Sequence, residues 1–285
     1  MAEIINGKLV SSEIRAEIAK EVAAFKAQSG VTPGLAVIIV GNNPASLVYV
    51  RNKAKACAEV GINSIEIALP EDVTEAEVLD RIAALNADPA VHGILVQLPL
   101  PAHIDQERVI NSISPRKDVD AFHPENVGRI MIGNYDMLPC TPAGVMDLLD
   151  YYKIGISGKK CVVLGRSNIV GKPMAHLLLE RNGTVTVCHS KTQNLDDEIK
   201  SADVLVVAIG RAEFVKGSMI KPGAVVVDVG INRCEDGKLR GDVEYSTARE
   251  VASYITPVPG GVGPMTITTL LKNTLFAARK EHLKQ

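Results

Sequence analysis

The sequence has 285 residues, of which 46% are apolar and 22% charged, values that exclude disorder, collagen and a charge-rich coiled coil. The net charge of −2 argues against a general nucleic-acid binder, because no basic excess exists to neutralise a phosphate backbone. The apolar runs are far shorter than the roughly 18 residues of a membrane span, and the N-terminus lacks a signal-peptide core. Five scattered cysteines disfavour a disulfide framework and a thiolate metal site. We therefore expect a soluble, cytoplasmic protein.

The first part of the chain alternates between helical and strand-like patterns. The predicted elements are a helix over 11–28, a strand over 35–40, a helix from Pro44 to Gly61, a strand over 65–69, a helix capped by Thr74 and Glu77, and a strand over 93–98. This order predicts a parallel sheet with crossover helices.

A stretch of poor periodicity, residues 114–142, is interpreted as a connection between domains. A second series then follows, with helices predicted at 143–152, 172–181, 195–201 and 266–283 and strands at 160–164, 184–187, 204–208 and 225–229. The predicted fold is α/β, with two α/β domains and a cleft between them. One domain would comprise residues 1–120 and the terminal helix, about 266–285, and the other, over 140–265, would be a Rossmann-like dinucleotide-binding domain.

A glycine-rich turn, Gly165 to Gly171, joins a predicted strand to a predicted helix. Such a turn presents backbone N–H groups and a positive helix end to a diphosphate. Ser167 stands where the G-x-G-x-x-G pattern has its second glycine, so an ordinary βα turn remains an equal alternative.

The choice of cofactor is indicated by the residues after the next strand, which ends at Val187. NAD enzymes usually place an acid there to bind the ribose 2′-hydroxyl, whereas this chain has Ser190 and no acid. A 2′-phosphate would be bound by Ser190 and Arg166, so the sequence favours NADP. A second glycine element, residues 228–232, is a candidate for the nicotinamide end.

Candidate substrate residues lie mainly in the first half of the chain. Tyr49 and Lys53 are four positions apart on a predicted helix and share a face, although such pairs are more often simply exposed. Gln97 interrupts a buried run near the carboxyl end of a strand, where open α/β sheets bind ligands; a solvent-facing strand end is equally plausible. Asp120 would face the cleft or be an ordinary loop carboxylate. The loop 256–266, with three glycines and three prolines, is stiff and allows close approach of a ligand.

These segments together resemble the bifunctional methylenetetrahydrofolate dehydrogenase/cyclohydrolase family over almost the whole chain. The matching segments are YVRNK, GILVQLPLP, KDVDAFHPEN, PCTPAGV, VVLGRSNIVGKP, VCHSKT, VDVGIN and TPVPGGVGPMT. One difference is Ala121, which follows Asp120 where the family usually has glycine.

The resemblance implies an enzyme of one-carbon metabolism that oxidises 5,10-methylenetetrahydrofolate with NADP and hydrolyses the product to 10-formyltetrahydrofolate. It implies that Lys53 assists hydrolysis, Tyr49 holds the folate rings, Gln97 orients Lys53, and Asp120 binds the pterin. It also implies NADP contacts at Gly165, Arg166, Ser167, Ser190 and Ile231 and substrate contacts at Gly261 and Pro264. A homodimer is expected by analogy, and no metal is needed.

Two other classes of protein are alternatives to this interpretation. A monofunctional NAD(P)-dependent dehydrogenase of the same fold would lack the cyclohydrolase activity and would not need Lys53. A non-catalytic nucleotide sensor would keep the glycine turn and lack the set of Tyr49, Lys53, Gln97 and Asp120, whose joint presence argues against it.

Overall fold

The computed structural model describes residues 1–282, which divide into two compact units. Unit 1 comprises Met1–Ser12 and Thr141–Thr266, and unit 2 comprises Glu13–Cys140 and the chain from Ile267 onward. The last position of the predicted terminal helix, 283, and the two residues after it lie outside the described part. None of the helices in residues 1–282 is long and apolar enough to cross a membrane.

The strands and helices follow one another as an α/β chain. The strands are β1 (Glu3–Ile4), β2 (Gly34–Val40), β3 (Asn63–Leu69), β4 (Gly93–Val96), β5 (Lys160–Leu164), β6 (Thr184–Cys188), β7 (Val204–Val207), β8 (Val225–Asp228), β9 (Asn232–Arg233), β10 (Leu239–Arg240) and β11 (Tyr254–Ile255). The helices are α1 (Gly7–Ser29), α2 (Pro44–Val60), α3 (Glu75–Ala87), α4 (Gln106–Ser112), α5 (Pro124–Met131), α6 (Cys140–Tyr151), α7 (Gly171–Glu180), α8 (Leu195–Lys200), α9 (Tyr245–Val251) and α10 (Val262–His282).

Unit 2 is built around a parallel three-stranded sheet in the order β3-β2-β4. Every residue of the central strand β2 is buried, which explains its continuous apolar run. Because side chains alternate along a strand, Leu35, Val37 and Ile39 pack on one face of the sheet with residues of α1, α2 and α10. The other face, with Ala36 and Ile38, packs against residues of α3 and α4.

Unit 1 contains a parallel six-stranded sheet in the order β1-β11-β8-β7-β5-β6. Strands β5, β7 and β8 occupy its centre, and their side chains are almost all buried. All the strands of this sheet run in the same direction, so their carboxyl ends meet at one edge, where open α/β sheets bind ligands. The α/β fold class predicted from the sequence is confirmed.

The N-terminal residues differ from the sequence prediction, which placed them with residues 13–120. They lie in unit 1 because β1 pairs with β11, with Glu3 opposite Tyr254. A strand of two residues has no measurable periodicity, so only the pairing partner defines it.

Residues 114–142, interpreted from the sequence as a connection, are not without structure: they contain α5 and belong to unit 2 up to Cys140. The start of α5 is capped by His123, whose Nδ1 accepts a hydrogen bond from the Glu125 N–H at 3.1 Å, and Pro124 occupies the first turn. The α5 helix has only eight residues, and Gly128 within it and Gly133 soon after it favoured the interpretation as a loop.

Candidate functional site

Lys53 and Gln97 form a hydrogen-bonded pair in unit 2, at the carboxyl edge of its sheet. Lys53 lies on α2, one turn after Tyr49, and its Nζ donates to Gln97 Oε1 at 2.9 Å. Gln97 follows β4 directly, where its backbone N–H donates to the Ile38 carbonyl. Its Nε2 donates to the Leu98 carbonyl at 2.7 Å, which turns the amide oxygen toward the lysine. The amide is therefore held as a fixed acceptor for Lys53.

Asp120 is brought to the same place by the segment that precedes it. The Ile94 N–H donates to the Lys117 carbonyl at 2.7 Å, and Asp118 forms a parallel bridge with Ile94 of β4. Residues 117–120 thus run alongside β4, and Asp120 ends beside Lys53, close enough for their charges to interact. The structure therefore gathers Lys53, Gln97 and Asp120 in one partly buried group, and Tyr49, 40% exposed, lies one helical turn away.

Burial sets the protonation behaviour of this group. The loss of hydration lowers the pKa of Lys53, and the nearby Asp120 carboxylate opposes that effect. Burial likewise raises the pKa of Asp120, with Lys53 acting in the opposite direction. A lysine in such surroundings exists as the neutral amine at lower pH than a lysine in water, so it can accept a proton.

Two further residues of this site were missed by sequence reasoning. The thiol of Cys140 is buried beside Asp120, and burial raises its pKa well above the usual value. The Asn273 amide, on α10, donates to the carbonyls of Val119 and Leu138 at 2.8 and 2.9 Å. It thereby fixes the Val119–Asp120 peptide and the Leu138–Pro139 peptide, which ends one residue before Cys140. The segment PCTPAGV contains Cys140, but nothing local marks that thiol as a neighbour of Asp120.

Ala121 is fully buried and has a backbone φ of 56°, in the left-handed region. A residue with a Cβ atom is strained there, by roughly 1 kcal/mol, whereas glycine is not. This backbone geometry explains why the family that the sequence resembles usually has glycine at this position. Ala121 nevertheless keeps the turn closed, since its N–H donates to the Asp118 carbonyl at 3.0 Å.

The glycine turn after β5 has a geometry that only glycine permits. Gly165 has a φ of 127°, and a Cβ atom there would lie 2.2 Å from the Ala208 carbonyl oxygen. A Cβ on Gly171 would lie 2.2 Å from the carbonyl oxygen of Gly165. Ser167 Oγ accepts the N–H groups of Val170 and Gly171 at 3.1 and 3.3 Å, which stabilises the turn at the start of α7. The turn can therefore approach a phosphate closely.

Arg166 and Ser190 lie on neighbouring loops. Leu164 of β5 is paired with Cys188 of β6, so both loops begin at the same level of the sheet edge. Arg166 and Ser190 are both exposed, and Arg166 has no ion-pair partner among residues 1–282. Ile231, in the loop after β8, is 42% exposed. The predicted cofactor residues therefore all lie at the carboxyl edge of the unit 1 sheet.

Gly261 and Pro264 lie in unit 1, in the loop that leads into α10 and in its first turn. A Cβ atom on Gly7 would lie 1.7 Å from the Gly261 carbonyl oxygen, so the start of α1 packs directly on this loop. The Lys8 N–H donates to the Gly260 carbonyl at 3.1 Å. The structure shows a rigid loop here, and the substrate contacts expected of these two residues stay a prediction.

A cluster with metal-ligand chemistry, His92, Glu281 and His282, lies elsewhere in unit 2. His92 Nδ1 accepts the Gly34 N–H at 3.0 Å, so the neutral ring carries its hydrogen on Nε2. That Nε2 lies 2.9 Å from Nε2 of His282 and donates to it. Because a metal would need the same Nε2 without its hydrogen, the pair is better suited to a hydrogen bond than to a metal ion.

These features define a two-unit α/β protein that combines a dinucleotide-type glycine turn with a partly buried lysine–amide–carboxylate group. A family model described as tetrahydrofolate dehydrogenase/cyclohydrolase, catalytic domain, matches residues 5–120. A second one, described as its NAD(P)-binding domain, matches residues 139–282.

Similar proteins cover the chain almost completely. Bifunctional protein FolD of Acetivibrio thermocellus is 65% identical over 278 residues, 98% of this chain and 97% of that protein. The structure of the bifunctional enzyme FolD, a methylenetetrahydrofolate dehydrogenase/cyclohydrolase from Campylobacter jejuni, has a TM-score of 0.96 and 49% identity, covering 99% of this chain and 100% of that one. FolD of Trypanosoma brucei, complexed with NADP cofactor and inhibitor, has a TM-score of 0.95 and 42% identity, covering 99% of both chains. The chain belongs to the tetrahydrofolate dehydrogenase/cyclohydrolase family.

Proposed function

We propose that this protein oxidises 5,10-methylenetetrahydrofolate to 5,10-methenyltetrahydrofolate with NADP and then hydrolyses the methenyl group to give 10-formyltetrahydrofolate. The observation that carries the proposal is the hydrogen bond from Lys53 to Gln97, beside Asp120, in a chain of this family. A monofunctional dehydrogenase would not need a partly buried lysine held in this way, and the similar proteins bear names of bifunctional enzymes.

The cofactor in this proposal is NADP, which accepts a hydride from the methylene carbon of the folate. Gly165 and Gly171 have no room for a Cβ atom, so no side chain stands at either end of the turn that leads into α7, where a diphosphate is favourable. Arg166 and Ser190 would bind the 2′-phosphate, since one supplies a charged donor and the other a hydroxyl donor. Ser167 would add its hydroxyl hydrogen, because its oxygen already accepts backbone N–H groups.

The hydrolytic step needs water activation, and Lys53 is the group we assign to it. A water oxygen attacks the methenyl carbon of the cationic substrate while the neutral amine of Lys53 accepts a water proton. The carbon–N5 bond then breaks. N5 takes up the proton that the hydroxyl group gives up as the formyl carbonyl forms, so one proton in total is released through Lys53. Gln97 holds the amine in position throughout, through its fixed Oε1.

The other predicted site residues would hold the substrates. Asp120 would accept hydrogen bonds from adjacent N–H groups of the pterin, and Tyr49 would place its exposed ring against the folate rings. Gly261 and Pro264 would contribute the rigid loop surface described above. A homodimer formed through the dinucleotide-binding part and a cytoplasmic location complete the proposal.

The decisive experiment is the Lys53→Met variant. It keeps the length of the side chain and removes the amine, so we expect at least a 100-fold loss of methenyltetrahydrofolate hydrolysis, in line with general base catalysis worth roughly 10²–10⁴-fold. Dehydrogenase activity should persist at a reduced level, because hydride transfer requires no proton from Lys53. Both reactions are followed by absorbance, with and without NADP.

The matched control is Lys55→Met, which removes an exposed lysine from the same helix and should leave both activities unchanged. In the wild type, hydrolysis should increase with pH through an apparent pKa below the usual 10.5 of lysine, since burial lowers the pKa of Lys53. A Lys53→Met protein that hydrolyses methenyltetrahydrofolate at the wild-type rate would contradict the assignment.

A further inference from the structure

Asp242 is a fully buried carboxylate in unit 1 that the proposed reactions do not use directly. Its Oδ2 accepts the backbone N–H groups of Ile209 and Gly210 at 2.6 and 2.9 Å. Its Oδ1 accepts the Arg211 N–H at 2.8 Å and the Asn232 side-chain amide at 2.9 Å. Both oxygens are therefore occupied by donors, and the side chain binds three consecutive peptides as an internal anion.

The loops tied together by Asp242 follow two adjacent strands at the carboxyl edge of the sheet. Residues 209–211 come after β7 and residues 230–232 after β8, and these two strands are paired. A Cβ atom on Gly230 would lie 2.2 Å from Asp242 Cγ, so the second loop packs directly on the carboxylate. Ile231, the predicted cofactor contact, is the residue between Gly230 and Asn232.

The backbone of Asp242 is fixed in turn by a second buried carboxylate. Asp228, the last residue of β8, accepts the N–H groups of Asp242 and Val243 at 3.0 and 2.8 Å. It also accepts the Gly230 N–H at 2.9 Å. Asp242 therefore has a rigid support, and small changes in its side chain are transmitted to the two loops rather than absorbed by its own backbone.

We propose that Asp242 is a positioning residue for hydride transfer, which holds the loops after β7 and β8 in the arrangement that orients the nicotinamide half of NADP. This inference rests on the proposed function, because it assumes that Ile231 contacts the cofactor. An amide cannot replace the carboxylate, since its NH₂ group would face backbone N–H donors and leave them without an acceptor. The diphosphate and 2′-phosphate contacts, on other loops, would remain.

The test is Asp242→Asn, with dehydrogenase and cyclohydrolase activities measured on the same preparation. We expect the dehydrogenase kcat to fall at least 10-fold, the KM for NADP to change less than threefold, and hydrolysis without NADP to stay within twofold of the wild type. The matched control is Asp236→Asn, in the exposed turn between β9 and β10, which should leave all three quantities unchanged.

Two results would overturn the inference: unchanged dehydrogenase kinetics, or parallel loss of both activities, which indicates a merely structural role. If Asp242→Asn does not fold, the variant Asn232→Leu tests the same inference. It removes one side-chain donor to Asp242 and leaves the backbone donors in place. A selective fall in its dehydrogenase kcat supports the inference, and wild-type kinetics contradict it. Absence of dehydrogenase activity in the wild type would instead refute the proposed function.

Discussion

Two aspartates in the segment Lys117–Asp120 have different roles, although they stand two positions apart. Asp118 is buried and accepts the His123 N–H and the Asn126 side-chain amide, each at 2.8 Å. Its carboxylate is therefore used within the fold, where it holds the start of α5. Asp120 lies beside Lys53 and Cys140, and within residues 1–282 no such set of backbone donors stabilises its charge. We therefore propose Asp120, and not Asp118, as the carboxylate that binds the substrate.

Replacement of Asp120 by alanine should weaken folate binding and depress both activities. Hydrogen bonds to a charged group are worth roughly 1.5–3 kcal/mol, so we expect kcat/KM for the folate to fall about 10- to 100-fold. The circular dichroism spectrum and the affinity for NADP should stay near those of the wild type. The matched variant Asp118→Asn should lower the melting temperature instead and leave the KM for folate unchanged. Normal kinetics in Asp120→Ala would show that the residue is only a loop charge.

Cofactor preference is a second property of single residues. Because an arginine–phosphate contact is charge-assisted, NADP should be favoured over NAD by about 10- to 100-fold in kcat/KM. Arg166→Ala and Ser190→Ala should narrow this gap, mainly by raising the KM for NADP. Steady-state kinetics with both nucleotides give the ratio directly. Equal use of NAD and NADP by the wild type would refute the assignment of these residues.

At the scale of elements, α10 is fixed at both ends to parts of the chain that are distant in sequence. Its first turn follows the loop that packs on the start of α1, and its last residue, His282, accepts a hydrogen bond from His92. Between them, Leu270, Leu271 and Leu275 pack in the core formed with α1 and α2. From Ile267 onward the helix is therefore part of unit 2, and the hydrogen bond at His282 depends on the protonation state of His92.

The stability of the protein should depend on the protonation of His92. Burial lowers the pKa of His92, so the folded protein keeps the ring neutral while the unfolded chain takes up a proton near its usual value of 6.5. The unfolded state thus binds more protons, and the free energy of unfolding should fall as the pH decreases below about 6.5.

Urea unfolding of the wild type and of His92→Asn between pH 5 and 8 tests this contribution. The Asn side-chain oxygen can still accept the Gly34 N–H, and the residue does not titrate. We expect the acid-side loss of stability to be smaller in His92→Asn than in the wild type. Identical pH dependence in the two proteins would mean that His92 is not the group responsible.

For the whole molecule, burial decides which cysteines can react. Cys57, Cys140, Cys161 and Cys188 are buried, and Cys234, in the β9–β10 hairpin, is only partly covered. Burial raises the pKa of Cys57 and of Cys161 to about 11, so few of these thiols are ionised near neutral pH. The cysteines therefore pack as small apolar side chains in the native protein.

Titration of the native protein with a disulfide reagent at pH 8 should show one rapidly reacting thiol, Cys234. Cys234→Ser should abolish this rapid phase, and unfolding in guanidinium should reveal all five thiols of the wild type. Modification of Cys234 should leave both enzymatic activities unchanged, because Cys234 lies in the β9–β10 hairpin and is not one of the proposed site residues. Rapid reaction of two or more thiols in the native state would contradict the burial of the other four.

Much of the fold could be predicted, because a strand that is buried on both faces of its sheet has a continuous apolar sequence. Strands β2, β5, β7 and β8 appear as short apolar runs, and the capping box of Thr74 and Glu77 marks the start of α3 as expected. The glycine turn after β5 could also be predicted, since its backbone tolerates only residues without a Cβ atom. The two-residue strands β1 and β11 could not, because they are too short to show a period. The α5 helix was also missed, because it is short and lies among glycines.

The sequence by itself determined the α/β order of elements, the glycine turn, and the identities of Lys53, Gln97 and Asp120 as candidates, because these depend on local pattern or on motif resemblance. Only the tertiary structure decided that Asp120 lies beside Lys53, that Asn273 fixes the Val119–Asp120 peptide, and that Asp242 ties two loops together. Each of these contacts joins residues far apart in the chain. Their donors and acceptors meet only after strand pairing and core packing have fixed the path of the backbone between them.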